Sequence, residues 1–183
     1  LSTLVVFSSR NLTALSKRLD SVASQDFKKI QFNELLKIIH KSDFIFLGDF
    51  HTYDQNVKNL IRIFRSLHKF KNPIQIGLEF ISIHHQYILD AFIQGEITEF
   101  EFLEGIDYTE SWRFPWSHYR VIFEEIKKFG FRALALNSEG SIEQRDVVAS
   151  NLLIKTIQDR PKIKTLVFFG EYHLLPGHLP SLV

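Results

Sequence analysis

The sequence predicts an α/β fold in three layers, with helices on both faces of a mainly parallel central sheet of four or more strands. Three observations predict it. Short, continuously apolar runs at Phe44–Leu47, Ile74–Phe80, Phe131–Leu136 and Thr165–Phe169 read as strands covered on both faces rather than on one. Between them lie amphipathic stretches long enough for the right-handed crossovers that join parallel strands. Polar residues capable of chemistry follow the runs directly, at the carboxyl ends where open parallel sheets bind ligands.

Taken in order, residues 1–30 form a poorly defined segment, with Leu4–Phe7 reading as a strand and Leu12–Leu19 as a short helix. Asn33 reads as the cap of a helix that carries Leu35, Leu36, Ile38 and Ile39 and ends at Lys41-Ser42. After the first apolar run, Asp54–Phe70 places Val57, Leu60, Ile61, Phe64 and Leu67 on one helical face, and Asn72-Pro73 breaks it. The second run delivers Glu79 near its end. Tyr87–Ile93 reads as a helix stopped by Gly95, and Thr98-x-x-Glu101 is a capping box opening another helix to about Gly105. Asp107–Trp116 is irregular, with Trp112, Phe114, Pro115 and Trp116 close together. Ser117 reads as the cap of a helix striped by Tyr119, Ile122, Phe123 and Ile126 and closed by Gly130. The third run presents Asn137. Ser141-x-x-Gln144 is a second capping box, for a helix to about Ile157, and Arg160-Pro161 ends it before the fourth run. Positions 1–183 read as one α/β domain whose patterned core spans about 33–180.

Composition narrows the function classes. A net charge of +1 gives no electrostatic case for nucleic acid or an anionic membrane. No apolar run is long enough to span a bilayer, and Leu1–Ser9 is too short for a signal peptide. Beginning at Leu1, the chain reads as a processed or trimmed piece. Cysteine is absent, which excludes disulfides and thiolate metal sites. The 18 phenylalanines are explained by an aromatic core, or by a pocket for a flat apolar ligand.

One pattern is written twice. Asp43–His51 (D-F-I-F-L-G-D-F-H) is an apolar run ending in Gly48-Asp49-Phe50-His51, and Leu166–His173 ends in Gly170-Glu171-Tyr172-His173, about 120 residues later. Parallel strands put their carboxyl ends on one edge. Asp49 and His51, Glu79, Asn137, and Glu171 and His173 are therefore expected around one cleft, where Gly48 and Gly170 allow close approach of a ligand. Such a set of imidazoles and carboxylates suits a divalent metal such as zinc, with water left in an open position. Without metal, it suits general acid–base chemistry by His51, Glu79 and His173 with Asp49, Glu171 and Arg145. Glu79 lies inside an apolar run, so its charge needs a partner, and a structural ion pair with Arg145 is the alternative to a catalytic or ligand role. Helix capping by Asp49 and Glu171 is the plainer alternative. His178, in Pro176-Gly177-His178-Leu179-Pro180, reads as a lid beside the second motif. His84, His85 and His118 read as surface or packing residues that could instead line a ligand pocket. His40 and His68 read as ordinary helix residues. No phosphate loop, dinucleotide fingerprint or serine nucleophile elbow is present.

These motifs also occur in a familiar order. Leu47-Gly48-Asp49-Phe50-His51, Gly77-Leu78-Glu79-Phe80, Trp116-x-x-Tyr119, Ala135-Leu136-Asn137, Arg145-Asp146 and Gly170-Glu171-Tyr172-His173 together resemble the ChaN-like haem-binding uptake proteins. Those proteins belong to the wider superfamily of erythromycin esterases and Tiki and TraB proteins. The resemblance covers roughly residues 40–180. It implies a parallel α/β fold with its site at the strand ends. The ChaN-like branch implies haem or iron acquisition by a periplasmic or membrane-anchored bacterial protein, with a homodimer if two subunits share haem. The Tiki-type branch implies metal-dependent hydrolysis through His51, Glu79 and His173. A haem ligand would come from Tyr53, His118, Tyr119 or Tyr172, with Trp112, Phe114 and Trp116 as stacking walls. Two departures stand out. The sequence shows no lipobox cysteine or signal segment, and Asp49 replaces the family's usual glutamate with a shorter side chain.

Overall fold

The computed structural model describes residues 3–6, 30–51, 53–69 and 72–183. The apolar runs all form strands: β1 (Thr3–Val6), β2 (Phe44–Asp49), β3 (Ile74–Ser82), β4 (Arg132–Asn137) and β5 (Lys164–Gly170). They make one sheet in the order β1-β2-β5-β3-β4, and every pairing is parallel. β5 thus enters between β2 and β3, and Asp49 pairs with Gly170, bringing the two matched motifs side by side. Leu12–Leu19 and Phe7 lie outside the described residues.

Alternating side chains of each strand face opposite layers. On one face Ile45, Leu47, Ile76, Leu78 and Phe168 pack against helices α1 (Phe32–Lys41), α2 (Asp54–Leu67), α3 (Gln86–Gln94), α4 (Glu99–Gly105) and α6 (Trp116–Phe129). On the other, Phe44, Phe46, Val167 and Phe169 pack against α7 (Ile142–Asp159) and α8 (Leu179–Leu182). Much of the phenylalanine is core: Phe92 stacks on Phe102 at 4.2 Å, and Phe80, Phe102 and Trp116 surround Phe123.

Both capping boxes form. Thr98 N–H donates to Glu101 at 2.7 Å, and Ser141 N–H donates to Gln144 at 2.9 Å, each with the reciprocal bond. Gly95 and Gly130 end α3 and α6 in the left-handed conformation. Three local expectations need correction. The cap of α1 is Gln31 rather than Asn33, because the Gln31 carbonyl accepts the first helical bond, from Leu35. Helix α6 opens at Trp116, with Pro115 and not Ser117 at the cap position, since proline already holds the backbone angle a helix entry requires. The irregular stretch after Asp107 contains a helical turn, α5 (Tyr108–Ser111), reached through the left-handed backbone of Asp107. Among the described residues no helix is long and apolar enough to cross a membrane.

Candidate functional site

The carboxyl edge of the sheet carries a pocket of about 400 Å³, lined by Asp49, Phe50, His51, Glu79, Phe114, Ile142, Arg145 and the 170–173 segment. The polar lining residues come from the ends of β2 and β3, the first turn of α7 and the turns that follow β2 and β5. Asp49 is the last residue of β2, and a tight turn closed by Tyr53 N–H to the Phe50 carbonyl brings His51 back over it. His51 Nδ1 lies 2.9 Å from Asp49 Oδ2, and its ring packs against both Trp112 and Phe114. Tyr119, fully buried on α6, donates its hydroxyl to the same Asp49 oxygen at 3.1 Å. Burial and the Asp49 charge push the Tyr119 hydroxyl well above its ordinary titration range, so it stays a donor. For His51, burial alone would lower the imidazole, but the hydrogen bond and charge of Asp49, with the charge of Glu79, outweigh it and leave it raised.

Glu79 owes its reach to an irregularity. The β3–β4 register shifts between Leu78 and Ser82, so Glu79 lies in a bulge just past the last β3–β5 pair. Its carboxylate is 4% exposed and accepts from Arg145 Nη2 at 2.6 Å and from the Gly170 N–H at 2.5 Å. The Arg145 ion pair that the sequence offered as the structural alternative for Glu79 is present. Gly170 is required by closeness rather than by its backbone angle. A Cβ there would lie 3.0 Å from Glu79 Oε2 and 3.5 Å from His51 Nε2. The small space before Gly170 is where both side chains converge.

From the other side, His173 sits in a short 3-10 turn (Glu171–Leu174) directly after β5, with its ring edge-on to Phe169. Its Nε2 lies 3.5 Å from Glu79 Oε1, and its Nδ1 lies 2.5 Å from Asp146 Oδ1. Asp146, on α7, is 1% exposed. Sequence reasoning quoted it only beside Arg145. The available signal was an acid on the buried stripe it shares with Ala149, Ser150 and Leu153, where a charge must have a partner.

His51, Glu79, His173, Asp49, Glu171 and Arg145 all line the pocket, and so does Tyr172, 42% exposed at its mouth. Phe114, raised as a stacking wall, lines the pocket too, whereas four other residues raised as haem contacts stand elsewhere. Tyr119 is behind Asp49. Trp116 packs into the aromatic core near Tyr108 and Phe102. His118 pairs with Asp54 across a separate groove between α2 and α6, and Tyr53 is the cap residue of α2. Asn137 ends β4 and does not line the pocket. Nor does His178: it is no lid, and its Nδ1 meets Asp146 Oδ2 at 2.7 Å. Among the described residues no group of three or more His, Cys, Asp or Glu is placed to hold a metal ion. Both Glu79 oxygens already accept a donor, from Arg145 and from the Gly170 N–H, so the expected zinc set lacks support.

A family model described as "Haem-binding uptake, Tiki superfamily, ChaN" matches residues 35–150. No curated protein matches the sequence. Among solved structures, ChaN of Campylobacter jejuni is 16% identical with a TM-score of 0.60, over 85% of this chain and 80% of that one. A structure described as bacterial protein toxins is 18% identical with a TM-score of 0.60, over 88% of this chain and 34% of that one. The RRSP effector domain of a MARTX toxin from Vibrio vulnificus is 19% identical with a TM-score of 0.57, over 85% of this chain and 32% of that one. The chain therefore spans about a third of these toxin chains. At such identities the likeness is one of fold.

Proposed function

Because the chain belongs to the haem-binding uptake family of the ChaN and Tiki superfamily, we propose that its strand-end pocket takes haem as cargo. The C. jejuni ChaN binds haem cofacially, and the same ligand class is inferred here. One observation carries the reading. Phe50, Ile142 and Tyr172, at 37%, 37% and 42% exposure, are three of the exposed large apolar side chains, and all three rim this pocket. Apolar surface gathered at the mouth of a polar recess suits a flat macrocycle, which would rest on the rim. Tyr172 is the rim residue able to ligate ferric iron, and we assign it that role; Phe50 and Ile142 would cover the ring. An open pocket suits carriage, consistent with a part in bacterial iron or haem acquisition. Hemin titration tests this. A Soret shift at micromolar hemin that weakens in Tyr172→Phe is expected, and no shift in the unsubstituted protein would end the reading.

A second reading has its own observation: two histidine–aspartate pairs, His51–Asp49 and His173–Asp146, face one glutamate. Each carboxylate orients an imidazole, which leaves His51 Nε2 toward the space before Gly170 and His173 Nε2 beside Glu79. This arrangement suits acid–base hydrolysis of an ester or amide, with His51 as base and Glu79 beside it. Turnover of a simple nitrophenyl ester, lost in His51→Ala and in Glu79→Gln, would support it. Equal turnover in His51→Ala would refute it.

A further inference from the structure

Asp146 holds two imidazoles at once: one oxygen meets His173 Nδ1 and the other meets His178 Nδ1. Buried as it is, its charge depends on those donors. His173 is as enclosed as Asp146, whereas the His178 side chain is 26% exposed and opens to solvent away from the pocket.

His178 is brought to this position by packing on both sides of it. Leu175 and Leu179 are buried, and the His178 N–H donates to the Leu175 carbonyl at 3.0 Å. Gly177, with φ at +86°, turns the chain there, and its N–H donates to Ser181 Oγ at 3.1 Å. A carboxylate with one oxygen free can turn and offer either oxygen to its remaining partner. With both oxygens held, it offers His173 a single acceptor in a single place.

We propose that His178 is a positioning residue of the strand-end site: by holding the second oxygen of Asp146 it fixes that carboxylate, and through it the tautomer and ring orientation of His173 beside Glu79. It does so without touching a ligand. The assignment rests on this pocket being the functional site, and it serves haem carriage and hydrolysis alike.

Its test needs neither ligand nor turnover. In heteronuclear NMR of the imidazole N–H groups, His173 Nδ1–H should exchange slowly with water in the unsubstituted protein. His178→Ala should speed that exchange about tenfold or more, as loss of one hydrogen bond to a charged group allows, and should shift the His173 ring nitrogens. Asparagine carries an N–H donor near the place of Nδ1, so His178→Asn should restore both signals. Unchanged His173 exchange and shifts in His178→Ala would overturn the proposal. So would a His178→Asn protein that behaves like His178→Ala, since packing alone would then explain the effect. Failure of hemin binding or of ester turnover would count against the readings above and leave these signals as they are.

Discussion

Arg145→Met isolates the energetics of the ion pair in the pocket floor. Glu79 is almost wholly buried, and the Arg145 side chain is 20% exposed, so the pair is shielded from water and salt on most sides. Removing one partner of a buried pair costs about 3–5 kcal/mol, because the other charge stays behind uncompensated. Here Glu79 keeps the Gly170 N–H at 2.5 Å and His173 Nε2 at 3.5 Å, which puts the loss at the lower end, about 3 kcal/mol. For a chain of this size each kcal/mol moves Tm by about 2–4 °C, so Arg145→Met should melt about 6–12 °C lower. Adding Glu79→Gln removes the stranded charge and should recover most of that loss. Thermal melts of the parent, both single variants and the double variant, followed by circular dichroism at neutral pH, close the cycle. A drop of less than about 2 °C for Arg145→Met would mean that water reaches Glu79 freely, and the burial reasoning would be refuted. A double variant no more stable than Arg145→Met would refute it equally.

Further perturbations probe the rest of the site. Gly170→Ala places a methyl group against Glu79 Oε2 and His51 Nε2, so it should abolish ester turnover; unchanged turnover would show that the substrate does not reach that space. His51, whose imidazole is raised above the ordinary 6.5, should titrate higher by NMR, and Asp49→Asn should bring the midpoint down. Its sign for stability follows: the His51–Asp49 contribution is full below the unfolded value and is lost as pH rises through the folded one, which pH-dependent urea melts would record. Tyr119→Phe deletes a donor to a buried carboxylate and should cost about 1.5–3 kcal/mol in urea unfolding, whereas a cost near zero would mean Asp49 does not need it.

What could be read ahead of the structure was whatever local pattern encodes. Apolar runs gave the strands, Thr98/Glu101 and Ser141/Gln144 gave helix starts, and the repeated Gly-x-x-His put Asp49, His51, Glu171 and His173 at one edge. Contacts made by packing left no such trace. Tyr119 meets Asp49 from 70 positions away, and Asp146 meets His173 from 27. Neither spacing is a period of any helix or strand. Trp116 and His118 are polar-tipped aromatics close to the motifs in sequence, yet the helix they open turns one into the core and the other toward Asp54. The bulge that aims Glu79 is likewise invisible in Ile76-Gly77-Leu78-Glu79-Phe80, because it exists only relative to β4.

The placement of β5 has a consequence for how this chain comes to be folded. β5 is the last described strand in chain order, yet it occupies the middle of the sheet, paired on both sides. Synthesis proceeds from the N-terminus, so β2 and β3 are made well before the strand that joins them. Until then each presents an unpaired apolar edge, the surface by which chains aggregate. A nascent chain stopped short of Lys164 also has no Gly170 N–H for Glu79 and no His173 for Asp146. The sheet is completed by insertion rather than by extension, and the pocket comes into being in that same closing step.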